Sequence, residues 1–155
     1  MALVRYLKPE NIYVRCPLET KDAVLEWLSM VAAESGVGVP QETLREMLFE
    51  REQTMSTGIG NGVGVPHTLE DGISGLHAFV ITLQDPIPFE AVDEKPVVVV
   101  IGLFGDSNTP NVSLGALATL GRILRDEPFV QSLSKARTKE DVYRLLSEKE
   151  EKKES

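Results

Sequence analysis

The chain has 155 residues, 42% hydrophobic and 26% charged, with 16 Lys and Arg against 24 Asp and Glu for a formal net charge of −8. A chain of that length is most simply one domain, able to bury roughly 70% of its unfolded surface. The acidic balance and the lack of a basic stripe argue against a nucleic-acid face and are compatible with docking on a basic patch of a partner protein.

Cys16 is the sole cysteine, so an internal disulfide and a CxxC pair are excluded, and it reads as a small buried apolar residue in a reducing compartment. The start Met1-Ala2-Leu3-Val4-Arg5-Tyr6 has no apolar leader core. No apolar run approaches the ~20 residues of a membrane span. The expectation is a cytoplasmic protein without direct membrane insertion.

Taken in order, residues 11–16 alternate apolar and polar and predict a short strand closed by Pro17. From Thr20, Val24, Leu25, Leu28, Val31 and Ala32 fall on one helical face, flanked by Trp27. Gly36-Val37-Gly38-Val39-Pro40 breaks that helix, and Pro40 suits the first turn of the next, whose inner stripe is Leu44, Met47 and Leu48. Arg51, near its end, has a plain reading as a solvated cation at a helix C-terminus. Leu69-Glu70-Asp71-Gly72 signals a turn, and 78–83 a strand closed by Asp85-Pro86-Ile87-Pro88. Residues 89–94 read as a loop or ragged hairpin. Val97 to Phe104 is continuously apolar and β-branched, as in a strand covered on both faces.

After a polar loop, Leu114, Leu117, Leu120, Ile123 and Leu124 keep helical spacing, and Glu127-Pro128 opens a short helix. Thr138 with Asp141 three residues on resembles a helix cap, followed by Val142, Leu145 and Leu146. Glu148 to Ser155 is charged and apolar-free, so the expected division is a domain over 1–147 and a frayed tail over 148–155. Helices before, between and after the strands make a layered helix–sheet–helix α/β domain the natural architecture.

There is no GxxxxGK[ST], no GxGxxG and no GxSxG. Two histidines and one cysteine at scattered positions do not suggest a zinc site, and no cofactor is expected. His77, beside the 78–83 strand, reads as a partly covered core-edge residue. The most informative stretch is Ser56-Thr57-Gly58-Ile59-Gly60-Asn61-Gly62-Val63-Gly64-Val65-Pro66-His67. Alternating glycines let backbone N–H groups approach an anion, and Pro66 stiffens the chain ahead of His67. From spacing alone two readings stay open: a histidine poised at an anion site, or a Gly-rich turn that happens to end in one.

Glu50-Arg51-Glu52 followed by Thr57-Gly58-Ile59-Gly60-Asn61-Gly62-Val63-Gly64-Val65-Pro66-His67 closely resembles the signature of the type-2 EIIA domains. These belong to the bacterial phosphoenolpyruvate-dependent phosphotransferase system, in its fructose/mannitol and nitrogen-regulatory branches. The resemblance runs from the first strand to about Leu146. It implies a mixed β-sheet flanked by helices on both faces, a phosphoryl group accepted on His67 from the small carrier HPr, and onward transfer to an EIIB partner or use as a regulatory mark. It also implies that Arg51 lies by the phosphate, against its plain reading. Chemically, a neutral imidazole is a competent acceptor, while Arg51, the backbone of Gly60, Asn61 and Gly62, and Ser113 are candidate phosphate binders.

One departure stands out. Many members open the Leu-rich helix with a second histidine in a His-Leu pair, whereas the matching residues here are Ser113-Leu114. The family often carries alanine where Gly64 stands, a change too small to weigh much. The absent second histidine leaves a further reading beside the carrier: a stand-alone regulatory module whose partner docking follows the phosphorylation state of His67.

Overall fold

The computed structural model describes residues 3–54 and 56–154, with side chains through Lys152. A six-stranded mixed sheet carries two helices on one face and three on the other. After a single 3₁₀ turn at Val4–Tyr6, the elements are β1 (Leu7–Cys16), α1 (Lys21–Glu34), α2 (Gln41–Thr54), β2 (Gly58–Gly60), β3 (Val63–Gly64), β4 (His67–Glu70), β5 (His77–Ile87), β6 (Val97–Asp106), α3 (Pro110–Ile123), α4 (Glu127–Lys135) and α5 (Lys139–Glu154). The sheet order is β1-β5-β6-β3-β2, with β4 also on β6. β5 and β6 are antiparallel, β1 joins β5 in parallel, and β3 and β4 lie end to end in one register along β6. The proline between β3 and β4 has no N–H to give the ladder, but its carbonyl still accepts from Leu103 N at 3.0 Å.

β6 explains why its sequence is apolar throughout. Val99, Ile101 and Leu103 enter the core beneath α3, α4 and α5, while Val100 and Phe104 enter the core beneath α1 and α2. Leu28 of α1 packs over Gly102, where an added Cβ would lie 3.0 Å from Leu28 Cδ2. The predicted stripe of α1 is buried from Val24 to Ala32, and the Thr20 hydroxyl caps the helix by accepting from Ala23 N at 3.0 Å. Thr138 does the same for Asp141 N at 3.1 Å.

Several boundaries move. β1 starts at Leu7, ahead of the predicted 11–16, because it is an edge strand whose register shifts between Leu7 and Ile12 and so tolerates Pro9. β5 runs on through Asp85-Pro86 to Ile87, across a register shift after Thr82 that accommodates the proline. Leu69 and Glu70 are strand, paired with Gly105 and Asp106, so the turn falls on Asp71-Gly72. Leu114 leaves the buried stripe: it is 59% exposed, because the inner side of α3 runs through Ser113, Ala116, Leu120 and Ile123.

The expected charged tail also differs. Residues from Glu148 continue α5 to Glu154, and Glu150 is only 3% exposed. Its carboxylate accepts from the backbone N–H groups of Leu3 and Val4, tying the last helix to the start of the chain. Local charge did not reveal this, since the partners are backbone groups at the other terminus. Ser155, with Met1 and Ala2, lies outside the described residues. Among the described residues no helix is long and apolar enough to cross a membrane. Glu150→Ala is expected to lower unfolding free energy by about 1–3 kcal/mol, because two N–H groups lose their acceptor; urea denaturation measures it, and an unchanged midpoint would show the clasp to be idle.

Candidate functional site

His67 is the first residue of β4, whose far edge carries no strand among the described residues. The two helix layers converge there, with α2 bringing Arg51 from one side and α3 bringing Ser113 and Leu117 from the other. His67 Nδ1 lies 2.7 Å from the carbonyl oxygen of Val65. A carbonyl only accepts, so Nδ1 carries the proton and Nε2 keeps its lone pair. Arg51 Nη2 lies 3.4 Å from that Nε2. Burial pushes the His67 imidazole below its ordinary value of 6.5; the Val65 carbonyl opposes this, Arg51 reinforces it, and Glu52 opposes it. In the neutral imidazole, which burial favours, the free lone pair is on Nε2.

Two clefts meet at this ring. The smaller, of about 270 Å³, is lined by Arg51, His67, Leu69, Ser113, Leu114 and Leu117 among others. Ser113 is 5% exposed, and its Oγ has no hydrogen-bond partner among the described residues. A buried orphan hydroxyl costs on the order of 1–3 kcal/mol, and this one belongs to a residue that lines the smaller cleft together with Arg51 and His67. The room for it is made by Gly105, where a Cβ would fall on the serine hydroxyl. The larger cleft, of about 480 Å³, shares Arg51 and His67 and extends along Ile59, Leu120 and Leu124 to Arg125.

The candidates from the glycine stretch part company. Gly60 and Asn61 line the larger cleft. Asn61 gives its backbone N–H to Asp93 Oδ2 at 3.0 Å and its side-chain amide to the carbonyls of Leu124 and Arg125, both at 3.2 Å. It is a latch between the hairpin and the end of α3. Gly62 lines neither His67 cleft. Its carbonyl accepts from both Val98 N and Val99 N, at 2.7 and 3.1 Å. Gly60, Asn61 and Gly62 have φ of 97°, 56° and 83°, so the two glycines supply a left-handed turn as much as an approach to a ligand. Gly64 is not a neutral stand-in for alanine, since a Cβ there would lie 2.8 Å from the buried Phe89 ring.

The sequence reading assigned no role to Glu52, which is buried at 9% exposure. It accepts from Thr57 N at 3.0 Å and from the Thr57 hydroxyl, and it pairs with Lys21 Nζ at 2.8 Å. The only local signal was its place beside Arg51; Lys21 and Thr57 come from other elements.

Known proteins share this sequence pattern and this fold. Residues 5–149 match the family described as phosphoenolpyruvate-dependent sugar phosphotransferase system, EIIA 2. The chain belongs to this family. The nitrogen regulatory protein of Escherichia coli (strain K12) is 30% identical over 152 residues, which cover 97% of this chain and 92% of that one. The crystal structure of the nitrogen regulatory protein IIA-Ntr from Neisseria meningitidis superposes with a TM-score of 0.87 at 26% identity, covering 93% and 98% of the two chains. The Escherichia coli enzyme IIAMTL, solved in complex with phosphorylated enzyme IIBMTL, shares the fold with a TM-score of 0.79 at 19% identity, covering 92% and 99%. The mixed three-layer architecture is therefore that of the EIIA proteins.

The lowered imidazole basicity gives this EIIA site a definite pH response. A native pKa below 6.5 means the folded state binds fewer protons than the unfolded one as pH falls, so the His67 contribution to stability is present above the unfolded value and lost below it. In an NMR titration His67 is expected to protonate with a midpoint below 6.5, and Arg51→Ala is expected to move that midpoint upward by removing a neighbouring cation. A wild-type midpoint above 6.5 would contradict the burial argument.

Proposed function

We propose that this EIIA protein is a phosphohistidine carrier: His67 Nε2 takes a phosphoryl group from an HPr-like phosphocarrier and passes it to an EIIB domain. The observation that carries this reading is the Val65 carbonyl at 2.7 Å from Nδ1, which leaves Nε2 as the nitrogen with a lone pair, beside Arg51. The lone pair attacks the phosphorus, the bond to the donor breaks, and the donor's leaving group keeps that electron pair. Phosphoryl transfer of this kind depends on positioning and on stabilising the equatorial oxygens. Arg51 offers a charged fork of N–H donors and Ser113 a single neutral O–H, while Gly60 lies along the wall of the adjoining cleft. The solved complex of enzyme IIAMTL with phosphorylated enzyme IIBMTL supports an EIIB-type recipient.

A second reading, a module whose docking to a regulated target protein follows the state of His67, is favoured by the identity to nitrogen regulatory proteins. The same site serves both. They differ in whether the phosphoryl group leaves for another protein.

The deciding experiment is incubation with phosphoenolpyruvate, enzyme I and HPr, followed by intact mass and peptide mapping. An acid-labile phosphate on His67 is expected, and it is absent in His67→Ala. Arg51→Ala is expected to slow acceptance by about 100-fold through loss of charge stabilisation. Ser113→Ala is expected to slow it by roughly 3- to 10-fold, the worth of one neutral hydrogen bond. No phosphate on His67, with the same HPr active toward a control acceptor, would refute the carrier reading. Transfer of the label to an EIIB domain, against its retention with phosphorylation-dependent capture of a target, separates the two uses.

A further inference from the structure

The hydrogen bonds around His67 form a connected path that begins well outside the clefts. Lys21 Nζ, in the first turn of α1, pairs at 2.8 Å with Glu52 near the end of α2. Glu52 takes both donors of Thr57, its N–H and its hydroxyl. The Thr57 carbonyl accepts from Val65 N at 2.8 Å, and the Val65 carbonyl accepts from His67 Nδ1 at 2.7 Å. On its other side Val65 is followed by Pro66, whose φ is locked and whose carbonyl is held by Leu103 N at 3.0 Å. Val65 is thus fixed from both ends, and its carbonyl has one direction available.

We propose that Glu52 is a positioning residue for the acceptor: through Thr57 and Val65 it holds His67 in the Nδ1–H tautomer, and so selects Nε2 as the atom that takes the phosphoryl group. The proposal rests on His67 being that acceptor. Arg51 and Glu52 are consecutive residues of α2, so a single stretch of helix serves both ring nitrogens. Arg51 stands at Nε2, where the phosphoryl arrives, and Glu52 governs the acceptor of the Nδ1 proton. A neutral imidazole in water divides its proton between the two nitrogens, and the bond made by one decides which nitrogen of the ring is free. Partners that orient a functional imidazole in this way commonly change its reactivity by about 10- to 100-fold when removed.

The test compares wild type, Thr57→Ser, Thr57→Val and Glu52→Gln by long-range ¹⁵N–¹H NMR of His67 in the full-length protein, each first shown folded by its amide spectrum. Wild type and Thr57→Ser, which keeps the hydroxyl, are expected to show the Nδ1–H form alone. Thr57→Val and Glu52→Gln are expected to raise the Nε2–H form several-fold above wild type. After phosphorylation, ¹⁵N–³¹P coupling is expected on Nε2 alone in wild type and on both nitrogens in those two variants. Acceptance in them is expected to fall about ten-fold in kcat, with KM for the phosphorylated HPr within two-fold. Folded Thr57→Val and Glu52→Gln proteins with the wild-type tautomer and phosphate on Nε2 alone would overturn the proposal. The tautomer is read without any phosphoryl donor, so a shifted tautomer in a protein that never gains phosphate would uphold the positioning and refute the carrier reading instead.

Discussion

A buried carboxylate organises this molecule. Removing a charge from water costs several kcal/mol, and it persists in an interior only where enough donors converge on it. For Glu52 three donors come from two places: the ammonium of Lys21 on α1, and the amide and hydroxyl of Thr57 at the start of the glycine hairpin. The requirement to satisfy one charge therefore fixes how α1, the end of α2 and the hairpin sit together. Arg51, one residue earlier on the same helix, is carried to the outside, where it meets His67. The inward carboxylate and the outward guanidinium are two consequences of one helical register.

The site's electrostatics run against those of the chain as a whole. The formal charge is −8, yet the clefts at His67 are lined by two arginines, Arg51 and Arg125. A doubly charged phosphoryl group would be placed beside a cation and an apolar wall that keeps water sparse, where hydrogen bonds to charge are strongest. Exposed Leu114 and Ile59 extend that apolar surface outward, giving a docking protein something to cover. Of the residues lining the smaller cleft, His67 is the one histidine, and the Ser113 hydroxyl carries no charge.

Much of the architecture was legible because it is written in local patterns. The buried stripe of α1, the doubly covered β6 and the cap at Thr138 follow from period and residue type alone. The failures share one cause. Pro9 and Pro86 sit inside strands because they fall at edge positions and register shifts, which depend on the neighbouring strand. Leu114 keeps the helical spacing of a core residue but faces out, because the sheet lies under Ser113 and Ala116 instead. Glu150 reads as part of a solvated tail until the backbone amides of Leu3 and Val4 are seen above it.

The sequence by itself determined the family and the layered fold and singled out His67 and Arg51, since these rest on a long pattern of specific residue types and on periodicities set within one element. Only the tertiary structure decided which imidazole nitrogen is free, that the Ser113 hydroxyl has no partner among the described residues, that Asn61 latches the hairpin to the end of α3, and that Glu52 ties the site together. Each of those outcomes depends on where a donor or acceptor from a distant part of the chain comes to rest. Hydrogen bonds act over about 3 Å, and no spacing along the sequence records which remote groups folding will bring within that reach.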